Sequence, residues 1–432
     1  MNQKQDLKQN SFTVKQQHAY NCLIAGKNVF LTGDAGTGKS YVIQKFIEYC
    51  YSKCKNIIIT APTGIAALNI DGVTLHRAFK APIGPIVESA KTVSSLLKDA
   101  DVVVIDEISM CRIDLFDFVI TQIIYANIHR RKKGLADIQI VVVGDFFQLP
   151  PVLVKEEKQV LNKYYKTDIG YGFAFQSKYW EACNFISIIL DEVVRQSDGL
   201  FIQSLNQARK GRLRSLQYFT ENSCKQEIKE AILLCGTNKA VKEKNDTELA
   251  KIKSPSVEYE AIITGEVKES DKMTNDILTL KVGARVMTLV NDSEDRYCNG
   301  SFGSVIKLNK DTVVVQMDNG CKVEIGKYKW SIKGYELKTS DKDTEKKARL
   351  EAGEIGSFEQ FPLKLAYAIT IHKSQGQTYD AVNLNPYCWD CGQLYVALSR
   401  CKSVNKIYLT QPIKANFLKA SKEVLNFYKS LA

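Results

Sequence analysis

Two α/β domains, each built on a parallel β-sheet, are what this sequence predicts, and three observations carry the prediction. The chain has 432 residues, and a single hydrophobic core stops growing near roughly 250–300. Apolar runs recur without polar alternation, as strands buried on both faces do. Helix-like stretches separate these runs, and strand–helix alternation gives a doubly wound sheet.

In order, the strand candidates are VFLTG (29–33), NIIIT (56–60), DVVVIDE (101–107) and IQIVVVGD (138–145). ILLCGTN (232–238), AVNLN (381–385) and KIYLT (406–410) follow. SYVIQKFIEYC (40–50) sets Val42, Ile43, Phe46 and Ile47 on one helical face. The runs group before about 150 and after about 185, so the first domain is expected at 1–184, with a small insertion at about 64–95. The second is expected at 185–295 and 361–432. NGSFGSVIKL, DTVVVQMDNGCKVEI and KYKWSI change the texture to short β-rich runs broken by Gly, Asn and Asp, which predicts an inserted antiparallel β domain over 296–360. The charged segment SDKDTEKKARLEAGE (340–354) reads as a solvated loop or helix.

Composition narrows the function classes. Lys and Arg outnumber Asp and Glu by 59 to 48, a net charge of +11 that suits a polyanionic partner. There is no apolar run of transmembrane length, and the polar MNQKQDLKQN start is no secretory signal, so a cytoplasmic protein without membrane attachment is expected. The twelve cysteines are scattered, as reduced thiols are. Cys388 and Cys391 have C-x-x-C spacing, but no second ligand pair accompanies them.

GDAGTGKS (33–40) follows an apolar strand and opens an amphipathic helix. Gly33, Ala35, Gly36, Thr37 and Gly38 let backbone N–H groups wrap a phosphate. Lys39 reaches the β- and γ-phosphates of ATP, and Ser40 is placed to bind Mg²⁺. Such a loop needs an acid for the metal. Asp106 supplies it at a strand end, and Glu107 is expected to polarise the attacking water. The stretch VVVGDFFQLPPV (141–152) ends another strand of the same sheet. Ligands bind outside the carboxyl ends of such strands, so Gln148 is expected at the γ-phosphate or the attacking water.

With these residues in place, the chain resembles the petite-integration-frequency (Pif-type) family of superfamily 1 DNA helicases, relatives of the RecD-like helicases. The resemblance runs from about residue 12 to about 410 on ordered motifs: FTVKQ, GDAGTGKS, APTGIAA, TLHRAF, VVVIDEISM, GDFFQLPPV, LDEVVRQSD, KVGARVM, AYAITIHKSQGQT and LYVALSR. It implies two RecA-like motor domains with small β-rich insertions, the second SH3-like, and ATP between the two domains. It implies that Gln16 reads the adenine edge, that Arg195 and Arg400 are arginine fingers, and that Gln375 and Gly376 touch nucleotide and strand. It places Pro62, Thr63, His76, Phe79, Pro150, Asn238, Thr370, His372 and Lys373 at single-stranded DNA. It implies 5′→3′ movement and duplex separation at single-strand/double-strand junctions, in DNA replication, repair or recombination. Lys15 stands where the family has an acid, and LADIQI (135–140) departs from the family's signature region. The tails beyond the motifs are short, as in a minimal motor core. A monomer is expected, because one chain carries both halves of the nucleotide site.

Three alternatives stay open at the sequence level. They are a translocase that prefers RNA or displaces proteins, a nucleic-acid-binding scaffold with an inactive nucleotide site, and a P-loop kinase. Intact Lys39, Glu107, Gln148 and Arg400 oppose the scaffold. A kinase has no use for two distant arginines and a second sheet.

Overall fold

The computed structural model describes residues 12–82, 84–87, 93–194, 198–229, 231–294, 296–297, 299–338 and 349–431. The chain forms two compact units. One comprises Met1–Ser197, Gly334–Gly353 and Lys422–Ala432; the other comprises Asp198–Lys333 and Glu354–Ser421.

The first unit is built on β1 (Val29–Gly33), β2 (Ile57–Ala61), β3 (Val73–Thr74), β4 (Val102–Ile105), β5 (Gln139–Val143) and β6 (Ile186–Leu190). All pair in parallel, in the order β3-β2-β4-β5-β1-β6. Successive side chains of a strand face opposite sides of the sheet, and here both sides are covered. Phe30, Ile58, Val103 and Val142 join one core cluster, while Leu31, Ile59, Val104 and Val141 join another. That is why these runs are apolar throughout.

The expected boundary at 184/185 falls one strand too early. β6 pairs with β1 along its length, Val29 opposite Ile186 to Gly33 opposite Leu190. As an edge strand it starts exposed at Ile186, and only Ile188 and Leu190 are buried. The C-terminal helix Lys422–Ser430 also belongs to this unit, and Val424, Leu425, Phe427 and Tyr428 pack on its core. Among its described residues, the stretch 64–95 is not β-rich. It holds the helices Gly64–Asn69 and Leu75–Ala78 and the two-residue β3, which extends the main sheet. Thr74 caps the second of these helices through its hydroxyl.

The second unit starts its sheet with β7 (Ile232–Cys235). The chain then carries β8 (Ser256–Glu260), β9 (Ile262–Gly265), β10 (Ile277–Lys281), β11 (Arg285–Thr288), β12 (Phe302–Leu308), β13 (Thr312–Met317) and β14 (Lys322–Gly326). β15 (Tyr328–Lys338), β16 (Arg349–Gln360), β17 (Leu363–Leu365), β18 (Ala368–Thr370), β19 (Val382–Leu384) and β20 (Ile407–Leu409) follow along the chain. β18, β7, β19 and β20 form the expected parallel sheet.

The antiparallel part is wider than 296–360. β14-β13-β12-β11-β17 is one sheet, and β11 and β17, which lie on either side of the expected insertion in the chain, pair with each other. Leu280, Val286, Val305, Val315 and Leu363 share one core, so the β segment is continuous with the unit that carries it. The segment 340–354 lies outside the described residues up to 348 and is strand from Arg349.

Candidate functional site

Gly33 ends β1, and its tight fit explains its identity. A Cβ there would lie 2.3 Å from the Leu190 carbonyl oxygen on β6. Gly38, at φ 80°, precedes the helix Lys39–Ser52, and a Cβ there would meet the Gln16 amide nitrogen at 2.5 Å. This helix has no side-chain cap and no acid in its first turn. Its first N–H groups therefore present positive potential to an anion. Lys39 Nζ lies over the loop and donates to the carbonyls of Gly33 (2.9 Å) and Asp34 (3.0 Å). Ala35 and Thr37 are buried, Gly36 is half-buried, and Ser40 is exposed. The Thr37 hydroxyl donates to the Asp34 carbonyl at 2.9 Å.

Gln16 braces this loop. It is 4% exposed and donates through Nε2 to the Thr37 carbonyl at 2.9 Å, while its Oε1 accepts from the Thr13 N–H in a capping box. The departure at Lys15 has a local partner as well. Lys15 Nζ pairs with Asp191 at 2.6 Å, joining the first helix to the chain after β6. From that segment, the Val194 N–H reaches the Gly36 carbonyl at 2.9 Å. Arg195 lies outside the described residues.

Asp106 and Glu107 follow β4, at the same sheet edge as the loop. Burial, reinforced by the neighbouring Glu107 carboxylate, raises the Asp106 pKa well above the usual carboxylate range, with Lys39 partly opposing. An acid so placed gains from a nearby cation, and Ser40 adds a hydroxyl, so the donor set fits Mg²⁺. Glu107 is held at φ 48°, a left-handed conformation uncommon for a residue with a side chain. The chain turns sharply here against Gly144, where a Cβ would stand 3.0 Å from the Ile108 nitrogen.

The stretch after β5 now has a physical explanation. Val143 lies opposite Leu31, and the Gly144 N–H donates to the Leu31 carbonyl at 3.1 Å, so the turn begins beside the loop strand. Asp145 accepts from the Phe147 N–H at 3.1 Å, and its carbonyl accepts from the Gln148 N–H at 2.9 Å. Phe146 packs among Phe30, Phe173, Phe175, Trp180 and Phe427, and Phe147 lies 4.8 Å from the Tyr428 ring. The two phenylalanines thus anchor a turn that carries Gln148, itself 8% exposed. Tyr428 completes the anchor. Its hydroxyl donates to Asp145 (3.4 Å), accepts from the Phe146 N–H (3.3 Å) and pairs with the Thr32 hydroxyl. Sequence reasoning missed Tyr428 because it lies 282 to 396 residues from its partners in the chain. The only signal was a short amphipathic pattern, KEVLNFYKS, near the end of the sequence.

Arg400 is 2% exposed and turned inward. Its guanidinium donates to the carbonyls of Val396 (2.8 Å), Ser374 (3.0 Å) and Gln377 (2.9 Å) and to the Ser399 hydroxyl (2.7 Å). It thereby holds the loop that carries Gln375, which is buried, and Gly376, which is exposed. Thr370 is buried and accepts from the Lys373 N–H at 3.3 Å. Lys373 and Asn238 are exposed. His372 is half-buried, and burial lowers its pKa against the opposing effect of Asp390.

In the first unit Pro62, Thr63 and His76 are half-buried. Phe79 is a correction. It is 2% exposed within the main core, so its ring is not offered to a nucleobase. Pro150 is likewise buried rather than at the surface. Cys388 is buried and its thiol is pushed up to about 12, the reverse of what a metal thiolate needs.

The profile for PIF1-like helicases matches residues 11–218, and that for the UvrD-like helicase C-terminal domain matches 365–403. ATP-dependent DNA helicase Pif1 of Campylobacter jejuni is 33% identical over 94% of this chain and 95% of its own length. The chain belongs to the Pif1 helicase family. The human Pif1 helicase is 30% identical over 96% of this chain, which corresponds to 63% of the human protein. Bacteroides Pif1 in complex with ADP-AlF4 superposes with a TM-score of 0.80 at 34% identity, covering 97% of this chain and 96% of that one. Bacteroides Pif1 bound to single-stranded DNA gives 0.68 at 35% identity, covering 97% of each chain. Among the described residues, no helix of this Pif1-family chain is long and apolar enough to cross a membrane.

Gln148→Ala is expected to lower the turnover of ATP about 10²-fold, as loss of one donor to developing charge does elsewhere. ATP binding should change little, because such a group acts on the transition state more than on the ground state. Steady-state hydrolysis with and without single-stranded DNA checks this. Unchanged turnover and stimulation would return the stretch to a plain turn.

Proposed function

We propose that this chain is an ATP-dependent DNA helicase that moves 5′→3′ along single-stranded DNA and separates duplex at single-strand/double-strand junctions. The observation that carries the nucleotide half is the uncapped helix at Gly38–Lys39, sharing one sheet edge with Asp106, Glu107 and Gln148. Backbone N–H groups of the loop and Lys39 hold the phosphates. Ser40 and Asp106 would hold Mg²⁺, which neutralises phosphate charge when bound. Glu107 orients the attacking water and draws its proton, and Gln148 hydrogen-bonds the γ-phosphate or that water. Gln16 holds the loop in shape through Thr37, and its remaining amide hydrogen is the group to meet the adenine edge. Arg195 and Arg400 act on the charge of the transferring phosphoryl group, Arg400 after exchanging some of its carbonyl partners for phosphate oxygens.

Strand contact is assigned to Pro62, Thr63, His76, Asn238, Thr370, His372 and Lys373, with Gln375 and Gly376 linking nucleotide and strand. The protein acts as a monomer in a reducing compartment such as the cytoplasm, in keeping with the free thiols of its described cysteines.

ATP hydrolysis measured with and without oligothymidylate tests the reading. We expect strong stimulation, and affinity for the strand that falls with salt by a log–log slope of about −0.7 per phosphate contacted. Stimulation by RNA alone would favour an RNA-directed translocase. Binding without hydrolysis would favour a scaffold.

A further inference from the structure

The chain has three tryptophans, and they differ sharply in exposure. Trp180 and Trp330 are 7% and 6% exposed, while Trp389 is 52% exposed. Single exposed aromatics are ordinary, but this one is fixed in place. Its indole N–H donates to the Gly236 carbonyl at 3.1 Å, and its backbone N–H donates to Gln393 Oε1 at 3.0 Å. With the polar edge satisfied by protein, what the indole offers outward is carbon framework.

The surroundings suit a nucleic-acid strand. Gly236 packs so closely that a Cβ there would lie 2.5 Å from the Tyr387 carbonyl oxygen, so the 386–392 loop sits directly on the turn Gly236–Asn238. Thr237 caps the helix Asn238–Lys251, and Asn238, its first residue, is exposed. Lys419 donates to the Trp389 carbonyl at 2.7 Å, bringing a cation to the loop. The neighbouring acid, Asp390, is engaged by the Cys391 N–H at 2.8 Å.

We propose that Trp389 is a stacking platform for one base of the single strand, with Asn238 and Lys419 placed to contact the adjoining phosphates. A rigid aromatic beside polar and cationic groups is how sequence-tolerant strand binding is built, because every base has a π-face. The proposal rests on the single-strand reading and adds a contact that none of the helicase motifs contains.

The test uses the full chain, oligothymidylate and tryptophan fluorescence, since Trp389 is the exposed one of the three. Wild-type emission should be quenched on titration. Trp389→Phe should abolish the quench while keeping affinity, measured by anisotropy of a labelled strand, within about threefold. Trp389→Ala should weaken binding about tenfold, and raise the DNA concentration for half-maximal ATPase by the same factor. Its turnover at saturating DNA should match wild type, which loss of folding would not permit. A quench that persists in Trp389→Phe, or an affinity of Trp389→Ala within twofold of wild type, overturns the platform while leaving the helicase reading intact. A wild-type chain that binds no single strand overturns both.

Discussion

ATP hydrolysis by Lys39→Ala is expected to fall at least about 10²-fold, while affinity for single-stranded DNA stays near wild type. Lys39 Nζ already lies over the loop, on the carbonyls of Gly33 and Asp34, 2.9 and 3.0 Å away. It is held where the β- and γ-phosphates would meet the uncapped helix end. Alanine removes the full charge that opposes the developing negative charge of the transferring group. It leaves the loop shape to Gln16, Thr37 and Gly38, which hold their positions without the lysine. Strand binding is spared because none of the residues assigned to the strand, in either unit, belongs to the loop 33–40. Turnover above about a tenth of wild type would remove the loop from the mechanism, whatever the binding curve shows.

The second large effect concerns Arg400, for which two roles compete. As a finger it supplies roughly 10³–10⁵ in rate. As found, it is an internal brace, donating to Ser374, Gln377 and Val396 carbonyls and to the Ser399 hydroxyl. Arg400→Ala removes a donor from each carbonyl. Although Val396 keeps the Ser399 hydroxyl and Ser374 keeps the Gln377 N–H, a buried acceptor that loses its donor costs about 1–3 kcal/mol, so alanine alone confounds the two roles. Arg400→Lys keeps the charge and part of the bonding, but not the planar fork. We expect Arg400→Lys to melt within a few degrees of wild type while turnover falls about 10³-fold and ATP affinity stays within a few-fold. Turnover within tenfold of wild type in the folded lysine variant would leave Arg400 a brace for the Gln375–Gly376 loop and nothing more.

What the sequence could reveal tracked how locally each feature is encoded. β1, β2, β4 and β5 were legible because both faces are buried and the runs are apolar throughout. β6 was assigned to the wrong domain, since an edge strand that follows a long connection carries no mark of which sheet it joins. The antiparallel sheet extended past its expected limits for a related reason. β11 and β17 flank the expected insertion and find each other only in three dimensions.

The placement of the loop after β1 and of Asp106 and Glu107 after β4 could be read from spacing because each is contained in a few consecutive residues. The setting of Gln148 could not, because it depends on Phe427 and Tyr428 in the final helix. Phe79 shows the converse. A resemblance assigned it to the strand, but its position among Leu75, Leu97 and Phe116 makes it core.

The most direct test of the central claim compares unwinding of one duplex carrying either a 5′ or a 3′ single-stranded tail, with ATP and Mg²⁺ present. Wild-type protein should separate the 5′-tailed duplex and leave the 3′-tailed one intact, and Lys39→Ala should separate neither. Equal unwinding of both, preference for the 3′ tail, or strand separation that survives Lys39→Ala would contradict it.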